Sequence, residues 1–416
     1  MSLTVRILIG LALGLASGIA LTEWGAAWEA DAVAIAQPMG KAWLGGLQMP
    51  LIPLIFALLV TGITQAAATA RGNRIAGRAI ALFAILLLAA ASVAALAGPI
   101  LLRIWPVPSG AVGALAGAGT VAEVPDVRPS AEWLLGFISV NPLKAASEGQ
   151  VVAVVLFALV FGFAVTRIAA DRRALLAGFF QAAADALLVV VGWVLWLAPI
   201  GVFALALVAG ARSGLATAGA LLHYIGFILL LCVIVTLLVY PLAVMAGRIG
   251  LARFLRAALP AQAIAFSTQS SIASLPAMIQ ASDGPLSVRE TSRSIVLPLA
   301  ISLFRVTSPT ANLGVAIYVA GMNGVPLGAM QLILGVAVAA IVSLAAVGLP
   351  SQITFFTTTG PICLAMGVPV EALPLLLAVE TVPDIFRTVG NVTADLAVTR
   401  IIDQSSVRES DAPPES

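Results

Sequence analysis

The chain has few charged residues for its length, and this scarcity decides its class. Only 10% of its 416 residues are Asp, Glu, Lys or Arg, whereas 61% are hydrophobic, and the mean hydropathy is +1.09. Soluble globular domains carry about 25% charged residues. The composition therefore excludes a soluble domain of this size. It predicts an all-α polytopic membrane protein, with roughly 20 apolar residues in each span.

Metal-binding and disulfide-forming residues are equally scarce. The chain has one histidine, His223, and two cysteines, Cys232 and Cys363, and both cysteines lie in apolar runs. A His/Cys metal centre is excluded and a disulfide is unexpected. The hydrolase motifs HExxH, GxGD and GxSxG are missing as well. We therefore expect a protein that is not an enzyme, with no cofactor and no nucleic-acid partner.

Apolar runs and arginine clusters predict the spans of the first half and their orientation. The runs lie near 4–22, 38–68, 75–103, 149–168, 175–211 and 216–246. Arginines cluster at 71–78, 167–173 and 248–256, and Arg6 precedes the first run. Positively charged loops face the cytoplasm. We therefore expect an uncleaved first helix with a cytoplasmic N-terminus, and a multi-pass protein of the bacterial inner (plasma) membrane.

The second half is interrupted by polar residues inside apolar runs. After Arg256, hydroxyl side chains crowd around Gln269, which predicts a re-entrant hairpin. Arg305 and Pro309 divide the next run, so we expect a helix that is broken inside the membrane. The run 330–367 again has a Gly/Pro/Ser tip between two apolar arms. The tandem pattern predicts a transporter with inverted repeats, although Gly and Pro are also common in ordinary membrane helices.

The last apolar run carries a polar stripe. At about 100° per residue, one face of a helix collects every strongly polar group: Glu380, Asp384, Arg387, Asn391 and Asp395. Four ionisable groups facing lipid would cost roughly 10–14 kcal/mol. The stripe must therefore face protein, ligand or water. A buried ion-pair network is one interpretation. A solute or ion site is favoured, because two acids and an amide remain around one arginine.

These residues resemble the glutamate/aspartate transporter family, the dicarboxylate/amino acid:cation symporters and homologues of the excitatory amino acid transporters. The segments that resemble the family are QSSIASLP (269–276), DIFRTVGNVTAD (384–395), NPLKAASEGQ (141–150) and APIGVFAL (198–205). The resemblance implies a divergent prokaryotic member with eight spans, two re-entrant hairpins, an elevator mechanism and a homotrimer. It implies a scaffold at 1–74 and 106–215, a transport domain at 75–105 and 216–403, and a disordered tail at 404–416.

The resemblance also implies roles for single residues. Asp384 would hold the substrate amino group, and Arg387 would clamp a side-chain carboxylate in the bidentate manner of a guanidinium. The other substrate-binding positions are Thr388, Asn391, Ser270, Ser271, Ser308 and, in the gate at 346–352, Gly348. A neutral amino acid would leave Arg387 unpaired, and a plain dicarboxylate would leave Asp384 without a cation. We therefore expect L-aspartate or L-glutamate as the substrate.

The departures from the family fall on its sodium sites. Phe304 and Val306 stand where the family has Asn and Asp, and neither offers the oxygen that sodium needs. A second site keeps Asn391 and Asp395. The sequence leaves open a third site made mostly of backbone carbonyls; its residues would be Ser302, Ser343, Leu344 and Ala346. No metal site is therefore assigned with certainty.

Arg305 suggests how the missing sodium is replaced. Losing the family Asp at Val306 and gaining Arg305 adds two positive charges, as many as two sodium ions carry. Gln269, where many relatives have arginine, reduces this gain. We hypothesise that Arg305 substitutes for bound cation by pairing with Asp395 or a neighbouring acid. The alternative is that Arg305 extends to the membrane interface.

Coupling would then come from protons, because an unpaired buried carboxylate favours its neutral form. Glu380 and Asp395 are the candidate proton carriers. Residual sodium coupling and uncoupled uniport are the rivals. A carrier of C4-dicarboxylates or neutral amino acids is the alternative transporter, and an ion channel is the alternative class.

Overall fold

The computed structural model describes residues 3–24, 28–108, 140–345 and 351–410, and within these ranges every regular element is a helix. In chain order the helices are α1 (Leu3–Glu23), α2 (Glu29–Gln48), α3 (Leu51–Gly72), α4 (Arg74–Ile104), α5 (Pro142–Ser147), α6 (Val151–Val165), α7 (Ala170–Trp196), α8 (Ala198–Ser213), α9 (Leu215–Met245), α10 (Leu251–Thr268), α11 (Ser271–Asp283), α12 (Glu290–Leu303), α13 (Thr307–Met322), α14 (Ala329–Ala345), α15 (Ser351–Ala365), α16 (Leu373–Val379) and α17 (Thr381–Ser410).

Within the described residues, six helical stretches are long and apolar enough to cross a membrane, which indicates a multi-pass membrane protein. They are Val5–Glu23, Glu29–Ala70, Arg74–Ile104, Ala170–Trp196, Leu215–Met245 and Glu290–Met322. Two predicted single runs each contain two helices. The run at 38–68 is divided next to Pro50, and the run at 175–211 is divided at Leu197, just before Pro199. Proline has no N–H for the helix ladder, so the division falls next to it.

The predicted first hairpin is a pair of packed helices, α10 and α11. Gln269 ends α10 in the left-handed conformation, with φ of 54° and ψ of 30°. Ser270 then caps α11, and its Oγ accepts a hydrogen bond of 3.2 Å from the N–H of Ala273. A serine N-cap satisfies one of the free N–H groups of the first turn. The polar residues at the tip therefore form a sharp turn between two helices.

The second predicted hairpin has α14 and α15 as its arms, and these also pack together. The residues that join them, 346–350, lie outside the described residues. The predicted gate with Gly348, and the predicted sodium contact at Ala346, therefore stay predictions.

The predicted broken helix is found as α12 and α13, with Phe304, Arg305 and Val306 between them. The predicted cause is wrong in one respect. Pro309 is the third residue of α13, where a helix leaves its N–H unpaired in any case. Pro309 therefore starts the second half-helix and does not interrupt it.

The last span is also divided, because α16 ends at Val379 and α17 begins at Thr381. Glu380 lies at this junction, and its carbonyl accepts the N–H of Asp384 at 2.9 Å, so the backbone ladder of α17 includes it. The prediction of a disordered tail from residue 404 is wrong for 404–410. There α17 continues, and the hydroxyls of Ser405 and Ser406 bond the carbonyl of Ile402.

The helices pack in two groups. In one, α8 packs on α1 and α2, and α3 packs on α6 and α7. In the other, α17 packs on α9, α10 and α12, while α4 packs on α13 and α14. The two groups also contact each other, since α3 packs on α4 and α14. The division into a scaffold (1–74, 106–215) and a transport domain (75–105, 216–403), and the movement of one against the other, stay predictions.

Three glycines bring α1 into backbone contact with α8. A Cβ placed on Gly10, Gly14 or Gly18 would lie 2.3–2.4 Å from the carbonyl oxygens of Pro199, Phe203 and Leu207, respectively. Small residues at four-residue spacing allow such close approach between membrane helices. The α1–α8 contact therefore depends on these positions having no side chain.

We predict that Gly14→Ala destabilises the protein by about 1–3 kcal/mol, because its methyl group overpacks the α1–α8 contact. The matched control is Gly219→Ala, since a Cβ at Gly219 meets no atom within 4 Å. Both cysteines of the chain are buried, so thermal unfolding in detergent can be followed with a thiol-reactive dye. An unchanged melting temperature for Gly14→Ala would contradict the described contact.

Candidate substrate and coupling site

The break between α12 and α13, the junction at Glu380 and the first hairpin all lie at the first half of α17. Asn391 of α17 caps α13 from outside, because its Oδ1 accepts the Thr307 N–H at 3.0 Å and lies 2.8 Å from the Thr307 hydroxyl. The hairpin tip reaches the same region, since the rings of Phe266 and Phe386 are 6.2 Å apart. The sequence predicted these segments as parts of one site, and the structure brings them together.

Arg387 is held by a buried network. One guanidinium nitrogen pairs with Glu380 Oε1, and another donates to Asn312 Oδ1 at 2.6 Å. Arg387 is 6% exposed and Glu380 is 3% exposed. The Tyr224 hydroxyl donates to Glu380 Oε2 at 2.7 Å, and the amide nitrogen of Asn312 donates to Thr358 at 2.8 Å. The network therefore ties α17 to α9, α13 and α15.

This network corrects one premise of the sequence analysis. A neutral substrate would not leave Arg387 unpaired, because Glu380 neutralises its charge within the protein. Tyr224, Asn312 and Thr358 were not predicted as site residues. A signal existed for Tyr224, a polar side chain inside the apolar run 216–246, where an unpartnered polar group is unfavourable. Asn312 and Thr358 stand among other polar residues and gave no separate signal.

Arg305 lies in the break between α12 and α13 and is partly exposed. The charged groups that act on it electrostatically are Asp384, Arg387 and Asp395. Within the described residues its side chain makes no hydrogen bond or ion pair. The structure thus contains a second guanidinium at the site, held much less tightly than that of Arg387.

The neighbours of Arg305 are apolar, and the loss of the first sodium site stays a prediction. Phe304 is fully buried and stacks on Phe83 of α4, with ring centroids 4.7 Å apart. Val306 is buried as well. Both side chains fill apolar space and supply no oxygen, so neither is a ligand for a hard cation.

Asp395 has a fully buried side chain, at 0% exposure. Neither carboxylate oxygen has a hydrogen-bond partner among the described residues. The expected ion pair between Arg305 and Asp395 is therefore not formed, although the two groups interact at longer range. Asp395 lies one turn beyond Asn391, the α17 residue that contacts the break at Thr307.

The other predicted substrate contacts lie around this centre. Asp384 is half-buried, and its carbonyl accepts the Thr388 hydroxyl at 2.8 Å. Ser308 is buried in the first turn of α13. At the hairpin tip, Gln269, Ser270 and Ser271 are half-buried. No described contact assigns a role to any of them, so their roles stay predictions.

The residues of the predicted backbone sodium site differ in their exposure. Ser302 is exposed, and its hydroxyl donates to the carbonyl of Pro298 at 2.8 Å. Ser343 is buried, its hydroxyl has no partner among the described residues, and Leu344 beside it is half-buried. The part of the chain that is described contains no group of three or more His, Cys, Asp or Glu residues suited to a metal ion.

We predict that Glu380→Gln destabilises the protein by about 3–5 kcal/mol, because it leaves the buried Arg387 without a counter-charge. Thermal unfolding is again the measurement. Glu148→Gln is the matched control, since its pair with Lys144 is exposed and contributes at most about 1 kcal/mol. The double change Glu380→Gln, Arg387→Met should recover part of the loss, and equal effects of Glu380→Gln and Glu148→Gln would contradict the network.

Comparison with known proteins agrees with this architecture. A family model described as the sodium:dicarboxylate symporter family matches residues 3–405. A C4-dicarboxylate transport protein of Deinococcus radiodurans is 26% identical, covering 96% of this chain and 89% of the relative. A neutral amino acid transporter B(0) of Oryctolagus cuniculus is 29% identical (94% and 77%). A proton/sodium-glutamate symport protein of Bacillus subtilis is 25% identical (94% and 90%).

The match runs through the half-helices and the polar stripe that form the site. The resemblance found in the sequence is thereby confirmed, and the chain belongs to the sodium:dicarboxylate symporter family of membrane transporters.

Proposed function

We propose that the protein is a proton-coupled symporter of small dicarboxylic anions, with L-aspartate and L-glutamate as the first candidates. One observation carries the proposal. Three carboxylates (Glu380, Asp384 and Asp395) and two guanidinium groups (Arg305 and Arg387) lie on the polar stripe of α17 and at the break beside it; Glu380, Arg387 and Asp395 are buried and the other two are partly buried. Together they leave one formal negative charge. An anionic substrate increases that charge. Because buried charge is unfavourable without compensation, cations must enter with the substrate.

Protons are the favoured cations. Phe304 and Val306 supply no sodium ligand, and Asp395 has no hydrogen-bond partner in the described structure. A fully buried carboxylate without a partner favours its protonated form. Asp395 is therefore the leading proton carrier, and the paired Glu380 is the second. The carbonyl site near Ser343 is where residual sodium coupling would arise.

The preference for acidic amino acids depends on Asp384 and on the hydrogen-bond donors around it. Asp384 would bind the substrate ammonium. The Asn391 amide nitrogen, which makes no hydrogen bond to the described residues, would donate to the α-carboxylate together with Thr388 and the serines of the hairpin tip. The family-level match and the glutamate symport relative are consistent with this choice.

C4-dicarboxylates are the second candidate substrates, and a specific observation favours them. Arg305 acts electrostatically on Asp384, so a substrate without an ammonium group does not leave Asp384 without a cation. The sequence favoured acidic amino acids as substrates because other substrates would leave Arg387 or Asp384 without a partner. Both reasons are weakened by these contacts. The names of relatives from Deinococcus radiodurans and Ralstonia nicotianae point the same way.

The experiment that tests the proposed function measures uptake of radiolabelled L-aspartate and succinate into proteoliposomes. It is run under an inward proton gradient, an inward sodium gradient, or neither. We predict uptake that is driven by protons and indifferent to sodium. Asp395→Asn fixes the side chain in a neutral form, so it should abolish proton-driven accumulation while leaving exchange of internal for external substrate.

Three outcomes would contradict this. Uptake that requires sodium would contradict coupling to protons alone. Accumulation by Asp395→Asn at the wild-type level would show that Asp395 is not the proton carrier. Ionic current without accumulation of either substrate would indicate a channel.

An elevator mechanism and a homotrimer belong to the same proposal. The surface of α7 supports the trimer. Gln65 of α3 donates to Gln181 at 3.2 Å, and Gln181 donates to Asp185 at 2.9 Å, near the middle of this long apolar helix. Asp185 is exposed in the single chain. A carboxylate facing lipid there would cost about 2.5–3.5 kcal/mol, so we expect a second copy to cover it.

We predict that native mass spectrometry finds a trimer, and that Asp185→Leu shifts it towards smaller species because the polar contact between copies is lost. Asp171→Leu is the matched control, since Asp171 lies in the first turn of α7, at the end of the apolar run. A trimer unaffected by Asp185→Leu, or a monomeric wild type, would contradict the interface.

A further inference from the structure

An exposed corner at the start of the first hairpin carries positive charge that no acid balances locally. Arg248 lies in the loop between α9 and α10, Arg253 and Arg256 lie on the first half of α10, and all three are exposed. The sequence has no Asp or Glu between Asp185 and Asp283. Within the described residues, Arg248 and Arg256 make no hydrogen bond or ion pair. The corner therefore presents guanidinium donors that an external anion can use.

The other arginines at this end of the structure are paired within the protein. Arg289 and Arg400 pair with the buried Asp403, at 2.8 and 3.7 Å. Arg293 pairs with Asp283. These pairs hold the ends of α11, α12 and α17 together, and their charges are compensated inside the fold. The corner differs because its arginines have no such acid.

Arg253 ties the corner to this base. Its Nε donates to the carbonyl of Pro285, and a terminal nitrogen donates to the Ser287 hydroxyl at 2.9 Å. Arg400 donates to the carbonyl of Ser287 and to that of Gly247 in the α9–α10 loop, at 3.2 Å each. The loop and the start of α10 are thus fixed to the rest of this end by arginine–carbonyl contacts.

Apolar side chains lie directly beside the exposed arginines. Leu251, Leu255 and Leu259 are 50%, 38% and 58% exposed, and their four-residue spacing puts them on one stripe along α10. Arg256 lies about 60° around the helix from Leu259. An apolar stripe with a cation beside it matches a phospholipid, because the acyl chain contacts the stripe and the phosphate contacts the guanidinium.

We propose that this corner binds an anionic phospholipid, with the headgroup among the exposed arginines and an acyl chain along the leucine stripe of α10. Basic loops of membrane proteins face the cytoplasm, where the leaflet carries anionic lipids. A soluble anion would use the arginines but not the stripe. The lipid would lie at the base of α10, whose 18 residues place the tip at Gln269 about 27 Å away. This site is separate from the candidate substrate site and does not depend on which substrate is carried.

The test is native mass spectrometry of the full-length protein in detergent, titrated with dioleoyl phosphatidylglycerol or dioleoyl phosphatidylcholine. The two lipids share their acyl chains and differ in net charge. Wild type should bind phosphatidylglycerol at least about 5-fold more tightly, since one basic residue near anionic headgroups contributes about that factor. Arg248→Gln and Arg256→Gln should each weaken phosphatidylglycerol binding about 5-fold and leave phosphatidylcholine binding unchanged.

Arg172→Gln is the matched control for loss of one exposed positive charge. Arg172 lies in the first turn of α7, next to Asp171, and its substitution should leave both affinities at the wild-type level. Leu255→Ser should weaken both lipids alike, because the acyl-chain contact does not depend on the headgroup. Glycerol 3-phosphate, which has no acyl chain, should not bind at the concentration at which phosphatidylglycerol saturates. Thermal unfolding with the thiol dye shows whether each variant is folded.

Equal affinity of wild type for the two lipids would overturn the proposal, and this comparison needs no variant. A preference for phosphatidylglycerol that survives both arginine substitutions would place the lipid elsewhere. An equal loss in Arg172→Gln and Arg256→Gln would indicate a general response to net charge, and tight binding of glycerol 3-phosphate would indicate a site for a soluble anion. Substrate uptake is not measured in any of these assays, so a failure of this site leaves the proposed function untouched.

Discussion

The buried ion pair between Arg387 and Glu380 is the interaction on which the rest of the site depends. Each group alone would be unfavourable at this depth, and each is further fixed by a polar partner, Tyr224 for the acid and Asn312 for the base. These partners come from different helices. The pair therefore fixes the position of α17 relative to α9 and α13, and hence where the other groups of the stripe point.

The position of α17 also lowers the free-energy cost of the backbone break between α12 and α13. A half-helix that begins inside a membrane exposes N–H groups, and Asn391 satisfies one of them at Thr307. The same α17 residues that form the polar stripe thus also stabilise the break that contains Arg305. The structural role of Asn391 and the binding roles that we propose for Asp384 and Thr388 thus belong to neighbouring turns of one helix.

Much of this architecture could be predicted from the sequence, because a polar group inside a membrane is energetically unfavourable unless it has a partner. Apolar runs predicted the helices, and the polar interruptions predicted the hairpin at Gln269, the break at Arg305 and the stripe on α17. The pairing was less predictable. Glu380, Asp384 and Asp395 all lie within about two turns of Arg387 on the same stripe, so spacing alone does not select the acid that meets it. The contacts of Arg387 and Glu380 with Asn312 and Tyr224, and the absence of the expected Arg305–Asp395 pair, depend on distances between helices, which spacing along one helix does not give.

A fixed arginine and a bound sodium ion are equivalent for binding but not for transport. Either one compensates a substrate carboxylate in a low-dielectric site. A sodium ion, however, leaves with the substrate and carries the energy of its gradient, whereas Arg305 remains in the protein when the empty site returns. Arg305 can therefore raise affinity but contributes no driving force. Any accumulation must come from a group whose charge differs between the loaded and the empty carrier, and the unpartnered carboxylate of Asp395 is placed to be that group.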